Sequence, residues 1–274
     1  MPLPDGASVT STTYLLEVGA RGADRLALIH DIYGPTSQRL LSQLDLRGKR
    51  VLELACGTGT MTRFLAEKVG ADGHVVGLDS SEAQLSAARA HCAGMPNVEW
   101  VRADAADTDL PHGTFDVVYL RLLLMHVPEP LRVLLHAQAL LREGGVVVCE
   151  EAAVDSTFTD PPVPEQRELH ALANQMARGR GCDFNVARRL NSLVLAAGFT
   201  QSVASAHQPL YASGPQKLLE VASFAEALTH WRDAPPDTQA RGRALVDALR
   251  TAALDDECAY GLSMMIQVRA QKPS

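Results

Sequence analysis

The sequence predicts an α/β fold built on a parallel sheet, and three observations carry that prediction. Between residues 51 and 150, short apolar runs alternate with stretches of helical period. A small-residue turn, Ala55-Cys56-Gly57-Thr58-Gly59, joins the first run to the first helical stretch. Two carboxylates, Asp79 and Asp104, stand where the second and third runs end. Short buried runs separated by helices imply βαβ units with right-handed crossovers.

Upstream of this core, Leu26, Ile29 and Tyr33 fall at helical spacing, and Gly34-Pro35 is expected to end that helix. A second helix should carry Leu40, Leu41 and Leu44. The first strand is Val51-Leu52-Glu53-Leu54-Ala55, followed by a helix over 61–69 that stops at Gly70. The second strand is 75–79, and Ser80 and Ser81 are candidate N-caps for a helix with Leu85, Ala88 and Cys92 on one stripe. Further strands are read at 98–101, 115–120 and 146–149, with a helix over 131–141 that stops at Gly144. Beyond Glu151 the character changes. Residues 160–164 are a proline-rich linker, and a polar helix follows to about Arg180. A helix over 186–197 is closed by Gly198. Strands at 199–207 and 258–271 then enclose a helical insert at 215–257.

The 274 residues suit one large domain, alone or with an appended lid. An apolar share of 46% with 21% charged residues excludes a disordered chain. A net charge of -7 weighs against a nucleic-acid binder, which needs a basic face, and favours a small-molecule substrate. The five cysteines are scattered, with neither zinc-ligand nor disulfide-framework spacing, and are expected to be buried thiols. His74, His91, His112 and His230 have no partner at ligand spacing and are read as surface residues, so no metal is expected. Residues 1–10 lack the apolar core of a signal peptide. The longest apolar stretch, 119–127, is interrupted by Arg121 and too short to span a bilayer. The expected location is cytoplasmic.

The small-residue turn follows a strand and opens a helix, which lets the backbone approach a ligand and aims helix N–H groups at it. Asp79 lies 22 residues after Gly57, where a carboxylate can accept both hydroxyls of an adenosine ribose. Asp104 can accept from an adenine amine while the Ala105 N–H satisfies a ring nitrogen. A nicotinamide cofactor is the alternative, but Thr62 occupies the third glycine position of that fingerprint. No Gly-Lys-Ser/Thr follows, so this is no P-loop.

Glu53, Ala55, Gly57 and Gly59, with Asp79, Arg102-Ala103-Asp104-Ala105, Phe115-Asp116-Val117-Val118-Tyr119 and Leu141-Arg142-Glu143-Gly144-Gly145, resemble in order and spacing the class I S-adenosylmethionine-dependent methyltransferases. The resemblance is strong over residues 40–155 and loose elsewhere. It implies a doubly wound, mostly parallel seven-stranded sheet of the Rossmann-like methyltransferase kind, with an N-terminal helical lid over 1–45. The Rossmann-like domain would then cover 46–274, with cap inserts at about 155–185 and 215–257. It implies S-adenosylmethionine as cofactor, held by Glu53, Ala55, Gly57, Gly59, Asp79, Gln84, Asp104, Ala105 and Arg121. Tyr14, with Tyr33 and His30, would come from the lid to the pocket.

Methyl transfer from a sulfonium asks the protein for orientation, exclusion of water and, for some acceptors, removal of a proton. Such a base belongs at the C-terminal ends of the fourth and fifth strands. His126 is the best base there by intrinsic pKa, and Glu151 is placed to steer a cationic or N–H-bearing acceptor. The catalytic candidates are thus His126, Glu151 and Tyr14. The expected activity is methylation of a small-molecule acceptor at nitrogen, oxygen or an electron-rich, indole-like carbon, in bacterial specialised (secondary) metabolism. A nicotinamide-dependent oxidoreductase and a non-catalytic S-adenosylmethionine-binding module are the rivals. The partners expected are that acceptor and, as an open option, a second copy in a homodimer, with no nucleic acid and no membrane.

Overall fold

The computed structural model describes residues 22–274. Its centre is a seven-stranded sheet made of β1 (Arg50–Leu54), β2 (His74–Asp79), β3 (Val98–Arg102), β4 (Phe115–Arg121), β5 (Leu141–Ala153), β7 (Thr200–His207) and β10 (Met264–Gln271). The order across the sheet is β3-β2-β1-β4-β5-β10-β7. The first five strands run parallel, and β10 is antiparallel to both β5 and β7. A smaller antiparallel sheet comprises β6 (Phe158–Asp160), β8 (Leu210–Tyr211) and β9 (Ala259–Gly261), in the order β6-β9-β8. The helices are α1 (Ala23–Leu41), α2 (Thr60–Val69), α3 (Glu82–His91), α4 (Pro130–Leu140), α5 (Glu165–Arg178), α6 (Leu190–Ala196), α7 (Leu219–His230) and α8 (Pro236–Leu254).

Side chains of the parallel strands alternate between two cores, as the period of a strand requires. Val51, Val75, Val117, Tyr119 and Val148 pack with Met61 and Leu65 of α2 and with Leu41 of α1. Leu52, Leu54, Val76, Val118 and Val147 face the other way, onto α4 and onto a larger core that continues into α5–α8. Strand order reverses at β1, which has β2 on one side and β4 on the other. The crevice outside the carboxyl ends of those strands is where open α/β sheets bind ligands.

Several boundaries differ from the sequence reading. Gly34-Pro35 does not end a helix, because α1 runs through both residues. An internal proline costs about 3 kcal/mol. Against it stand Ile32, Tyr33 and Leu41, buried in the two cores that flank the sheet, at about 1.5–3 kcal/mol each. The Tyr33 hydroxyl also donates to the Ser263 carbonyl at 2.9 Å. Tertiary packing outweighs the local break. β5 begins at Leu141 with a bulge opposite β4 and extends to Ala153, so it is longer than its apolar run. The stretch 258–271 divides into β9 and β10. The helix read over 186–197 is a 3₁₀ turn, Val186–Arg189, followed by α6. Ser81 rather than Ser80 caps α3, its hydroxyl accepting from the Gln84 N–H. All five cysteines are free and buried, whereas His74 and His230 are half-buried rather than on the surface.

Candidate active site

The turn after β1 is shaped by left-handed backbone at alternate positions, with φ of 57° at Ala55, 55° at Gly57 and 77° at Gly59. At Gly59 glycine is required twice over, since a Cβ there would lie 2.9 Å from the Ala88 Cβ and 3.1 Å from the Trp100 ring. At Gly57 a Cβ would meet nothing within 4 Å, because that face opens to the cavity. Asp79 holds the turn from the end of β2. Its Oδ2 accepts the Gly57 N–H at 3.0 Å and its Oδ1 the Ser81 N–H at 2.9 Å. Burial raises the pKa of its carboxyl, and those backbone donors oppose the shift. The carboxylate therefore fixes two loops while also lining the cavity.

Glu53, buried on β1, accepts the Thr62 hydroxyl at 2.5 Å through Oε2. Burial pushes its pKa up to about 7. Thr62, the residue in place of a third glycine, thus braces α2 against β1 with its hydroxyl. Gln84, buried on α3, the exposed Asp104 and the buried Ala105 complete this half of the cavity wall. Asp104 Oδ1 accepts the Ala106 N–H at 2.8 Å. Arg121, at the end of β4, donates to the Ser37 hydroxyl at 3.3 Å, and that hydroxyl donates to Glu150 Oε2 at 3.0 Å. Eight of the nine expected cofactor residues line one continuous cavity of about 450 Å³; Gly59 is the exception, its Cα packed toward Ala88 and Trp100.

The catalytic candidates fare differently. Glu151 does not face the cavity. It is fully buried and accepts three backbone N–H groups, from Leu123 at 2.9 Å, Leu124 at 2.7 Å and Met125 at 3.3 Å. Those bonds fold the loop after β4, and the steering role expected for Glu151 is replaced by one of holding that loop. His126, carried by the same loop, does line the cavity, with its ring 5.9 Å from that of Phe184. Desolvation and the nearby Arg25 cation push its pKa down to about 3. The expected base is therefore neutral but weakly basic, because the site around it disfavours the imidazolium. Tyr14 lies outside the described residues. Tyr33 reaches the cavity, but its hydroxyl is engaged by Ser263.

Beyond the cofactor half, the cavity continues into a largely apolar chamber that includes Leu26, Ile29, Met125, Phe184, Leu219 and Phe224. α1 and α7 both contribute, and they are joined by an ion pair between Arg25 Nε and Glu226 Oε2 at 2.9 Å. Two polar residues of the chamber, Thr157 and Glu220, escaped the sequence reading. The signal for Glu220 was present: a carboxylate between Leu219 and Val221, within the helical insert at 215–257.

The sheet, with antiparallel β10 between β5 and β7 and the glycine turn at its switch point, has the Rossmann-like fold of solved methyltransferase structures. Residues 51–145 match the family described as Methyltransferase domain. The chain is 33% identical over 136 residues to the demethylmenaquinone methyltransferase of Staphylococcus aureus (strain MRSA252), across 49% of this chain and 54% of that protein. It thus spans about half the length of the curated relatives it matches. A putative methyltransferase from Bacillus halodurans C-125 superposes with a TM-score of 0.59 at 19% identity, covering 87% of this chain and all of the other. The [4+2]-cyclase SpnF superposes at 0.55 with 22% identity, over 87% of this chain and 81% of that one. Those two likenesses concern the fold. No helix among the described residues is long and apolar enough to cross a membrane.

Proposed function

We propose that this protein transfers a methyl group from S-adenosylmethionine to a small, largely apolar acceptor of specialised metabolism. The observation that carries the reading is the single cavity, with a glycine turn and carboxylates at one end and an apolar chamber at the other. The residues present fit the cofactor. Open space at Gly57 admits a ligand against the backbone, while Asp79 and Asp104 offer carboxylate oxygens to ribose and adenine. Glu53 Oε1 has no protein donor among the described residues and suits the cofactor's amino group. Arg121 suits its carboxylate. When bound, the cofactor supplies a methyl already activated on a sulfonium. The chain's own work is to orient the acceptor in the chamber and to keep water out. α1 serves as part of the lid over 1–45, since Arg25, Leu26, Ile29 and Tyr33 stand in the cavity wall. The inserts at 155–185 and 215–257 serve as caps, through Thr157, Phe184, Leu219 and Phe224.

Thr62 supports this reading over a nicotinamide oxidoreductase, because its side chain, bonded to Glu53, stands where the dinucleotide fingerprint has a third glycine for close helix–strand packing. The test is a screen of hydroxyl, amine and aromatic acceptors with S-adenosylmethionine, with mass spectrometry locating the added methyl. Transfer to one class is expected. Tight binding of NADH with none of S-adenosylmethionine would sink the reading, and cofactor binding without transfer to any acceptor would leave a binding module.

A further inference from the structure

The adenine end of the cavity is built on a loop, and a histidine outside the cavity ties that loop down. After β3 the chain leaves the sheet and presents Ala103, Asp104 and Ala105 to the cavity. The loop starts from a fixed point, since the Ala103 N–H donates to the Asp79 carbonyl at 3.3 Å. Residues 104–107 then close on themselves. The Asp107 N–H donates to the Asp104 carbonyl at 3.1 Å, and the Ala106 N–H to Asp104 Oδ1 at 2.8 Å. The tie at the far end comes from α4. His136 Nε2 accepts the Thr108 N–H at 3.2 Å and lies 2.9 Å from the Thr108 hydroxyl. That hydroxyl oxygen accepts the Leu110 N–H at 3.3 Å, which leaves its own proton for His136. A backbone N–H can only donate, so the Thr108 bond fixes Nε2 as an acceptor and places the imidazole proton on Nδ1. The two Thr108 protons share the one Nε2 lone pair. Arg132, one turn earlier on α4, reaches Asp107 at 3.5 Å, but both side chains are exposed and such a pair adds little.

We propose that neutral His136 is a positioning residue for the cofactor, holding the loop from Asp104 to Thr108 in the shape that reads adenine, and that protonation at Nε2 releases it. The inference rests on the reading of this cavity as an S-adenosylmethionine site in which Asp104 accepts the adenine amine. His136 does not line the cavity and acts only through the loop. A proton taken up from water fills the Nε2 lone pair, so the imidazolium presents N–H groups on both sides. The Thr108 hydroxyl can turn and accept from it. The Thr108 backbone N–H cannot, and two donors then face each other at the end of the loop. Asp104 and the Ala105 N–H lose the anchor that sets their distance from the adenine edge.

The surroundings of His136 keep it in the accepting form. Partial burial is the largest influence and lowers its pKa from the ordinary 6.5. His112, whose ring lies 6.2 Å away and edge-on, and Arg132 of α4 act in the same direction, because each disfavours a second positive charge. Asp107 and Asp104, from the loop itself, oppose them. The imidazole is therefore neutral near pH 7, and the tie is made there. It is lost as pH falls through the lowered midpoint, so the adenine contribution to affinity belongs to neutral pH and fades toward acid.

The experiment is calorimetry on the full chain with S-adenosylhomocysteine and with S-inosylhomocysteine, which carries a carbonyl where adenine has its amine. At pH 7.5 the wild type should bind the adenine form about tenfold tighter or more, as a hydrogen bond to a charged group gives. His136→Ala should cut that preference about fivefold, the worth of one net hydrogen bond, and leave S-inosylhomocysteine affinity within about twofold. His136→Gln should keep the preference, because its amide oxygen can accept from Thr108. Between pH 7.5 and pH 5 the preference should shrink in the wild type and stay level in His136→Gln. Using the ratio of the two ligands cancels Glu53 and Asp79, whose own titration acts on both alike. Equal losses for the two ligands in His136→Ala, or a loss for neither, would overturn the inference and leave the loop held by the packing of Ala105 and Leu110. A wild-type ratio indifferent to pH, or a ratio that falls equally in His136→Gln, would overturn it too. Should His136→Ala fail to fold, that pH comparison decides alone. A wild type that binds no S-adenosylhomocysteine refutes the reading of the cavity, whereas one that binds it with a preference indifferent to His136 refutes the inference alone. Equal binding of both ligands by the wild type removes Asp104 from adenine, and the inference with it.

Discussion

Ala55 holds a left-handed backbone that costs an L-residue about 1–2 kcal/mol, next to glycines that adopt it freely. Ala55→Gly should therefore leave stability unchanged or raise it by up to about 1 kcal/mol, read as a higher Tm. Gly59→Ala should do the opposite, because strain at φ 77° adds to a 2.9 Å approach to Ala88. Reduced Tm and weakened S-adenosylmethionine binding in that variant are the expected readouts. Asp79→Ala should cost about 1.5–3 kcal/mol in cofactor binding, measured by calorimetry, through loss of charged hydrogen bonds. Asp79→Asn tells the two duties of this residue apart. Its amide oxygen can still accept the Gly57 N–H at 3.0 Å and so hold the glycine turn, while the bond to the Ser81 N–H and the charge facing the ribose are lost.

At the scale of elements, the loop after β4 is set by Glu151 from β5, and its pH response follows. The Glu151 pKa stands at about 7, above the 4.5 of an unburied carboxyl, because the site penalises the ionised form. A folded-state pKa raised in an acid favours the folded chain at low pH, and that contribution fades as pH climbs from 4.5 through 7. The loss amounts to about 3 kcal/mol. Chemical denaturation at pH 5 and pH 7 should thus show a smaller drop in Glu151→Gln than in wild type. Glu53, with a pKa of about 7 from the same cause, keeps part of the slope in both. His126 rides on this loop with a pKa of about 3, so His126→Gln should hold activity within about tenfold and leave the pH profile of kcat in place. A loss of 10²-fold or more would restore it as the base. Much of this scale was legible in the residues. Strands β1–β4, the glycine turn and its acids have local signatures, in period, small residues and spacing. α1 was not legible beyond Gly34-Pro35, since the packing of Tyr33 and Leu41 that carries it through is tertiary. Glu151 was misread for a related reason: a carboxylate at a strand end looks alike in sequence whether its donors come from a ligand or from the backbone of Leu123, Leu124 and Met125.

Over the whole molecule, the chamber closes because segments remote in the chain meet above the sheet. The Arg25–Glu226 pair spans 201 residues and ties α1 to α7, with side chains only 5% and 15% exposed. Taking one partner from such a pair leaves a charge in a site built for two, at a cost of about 3–5 kcal/mol. Arg25→Met and Glu226→Leu singly should therefore destabilise by amounts near that range. The double variant should recover much of the loss, because apolar side chains of similar size replace both charges. Arg25 also lines the cavity beside His126 and lowers its pKa, so the double variant should raise the His126 titration midpoint, visible by NMR. The cofactor half, anchored on β1, β2 and β4, lies on the sheet rather than on this tie. S-adenosylmethionine affinity should consequently change less than acceptor KM. Additive losses in the double variant would mean that the two side chains act apart and that α1 is held against α7 by apolar packing alone. Equal losses in cofactor and acceptor binding would mean that the two halves of the cavity open as one.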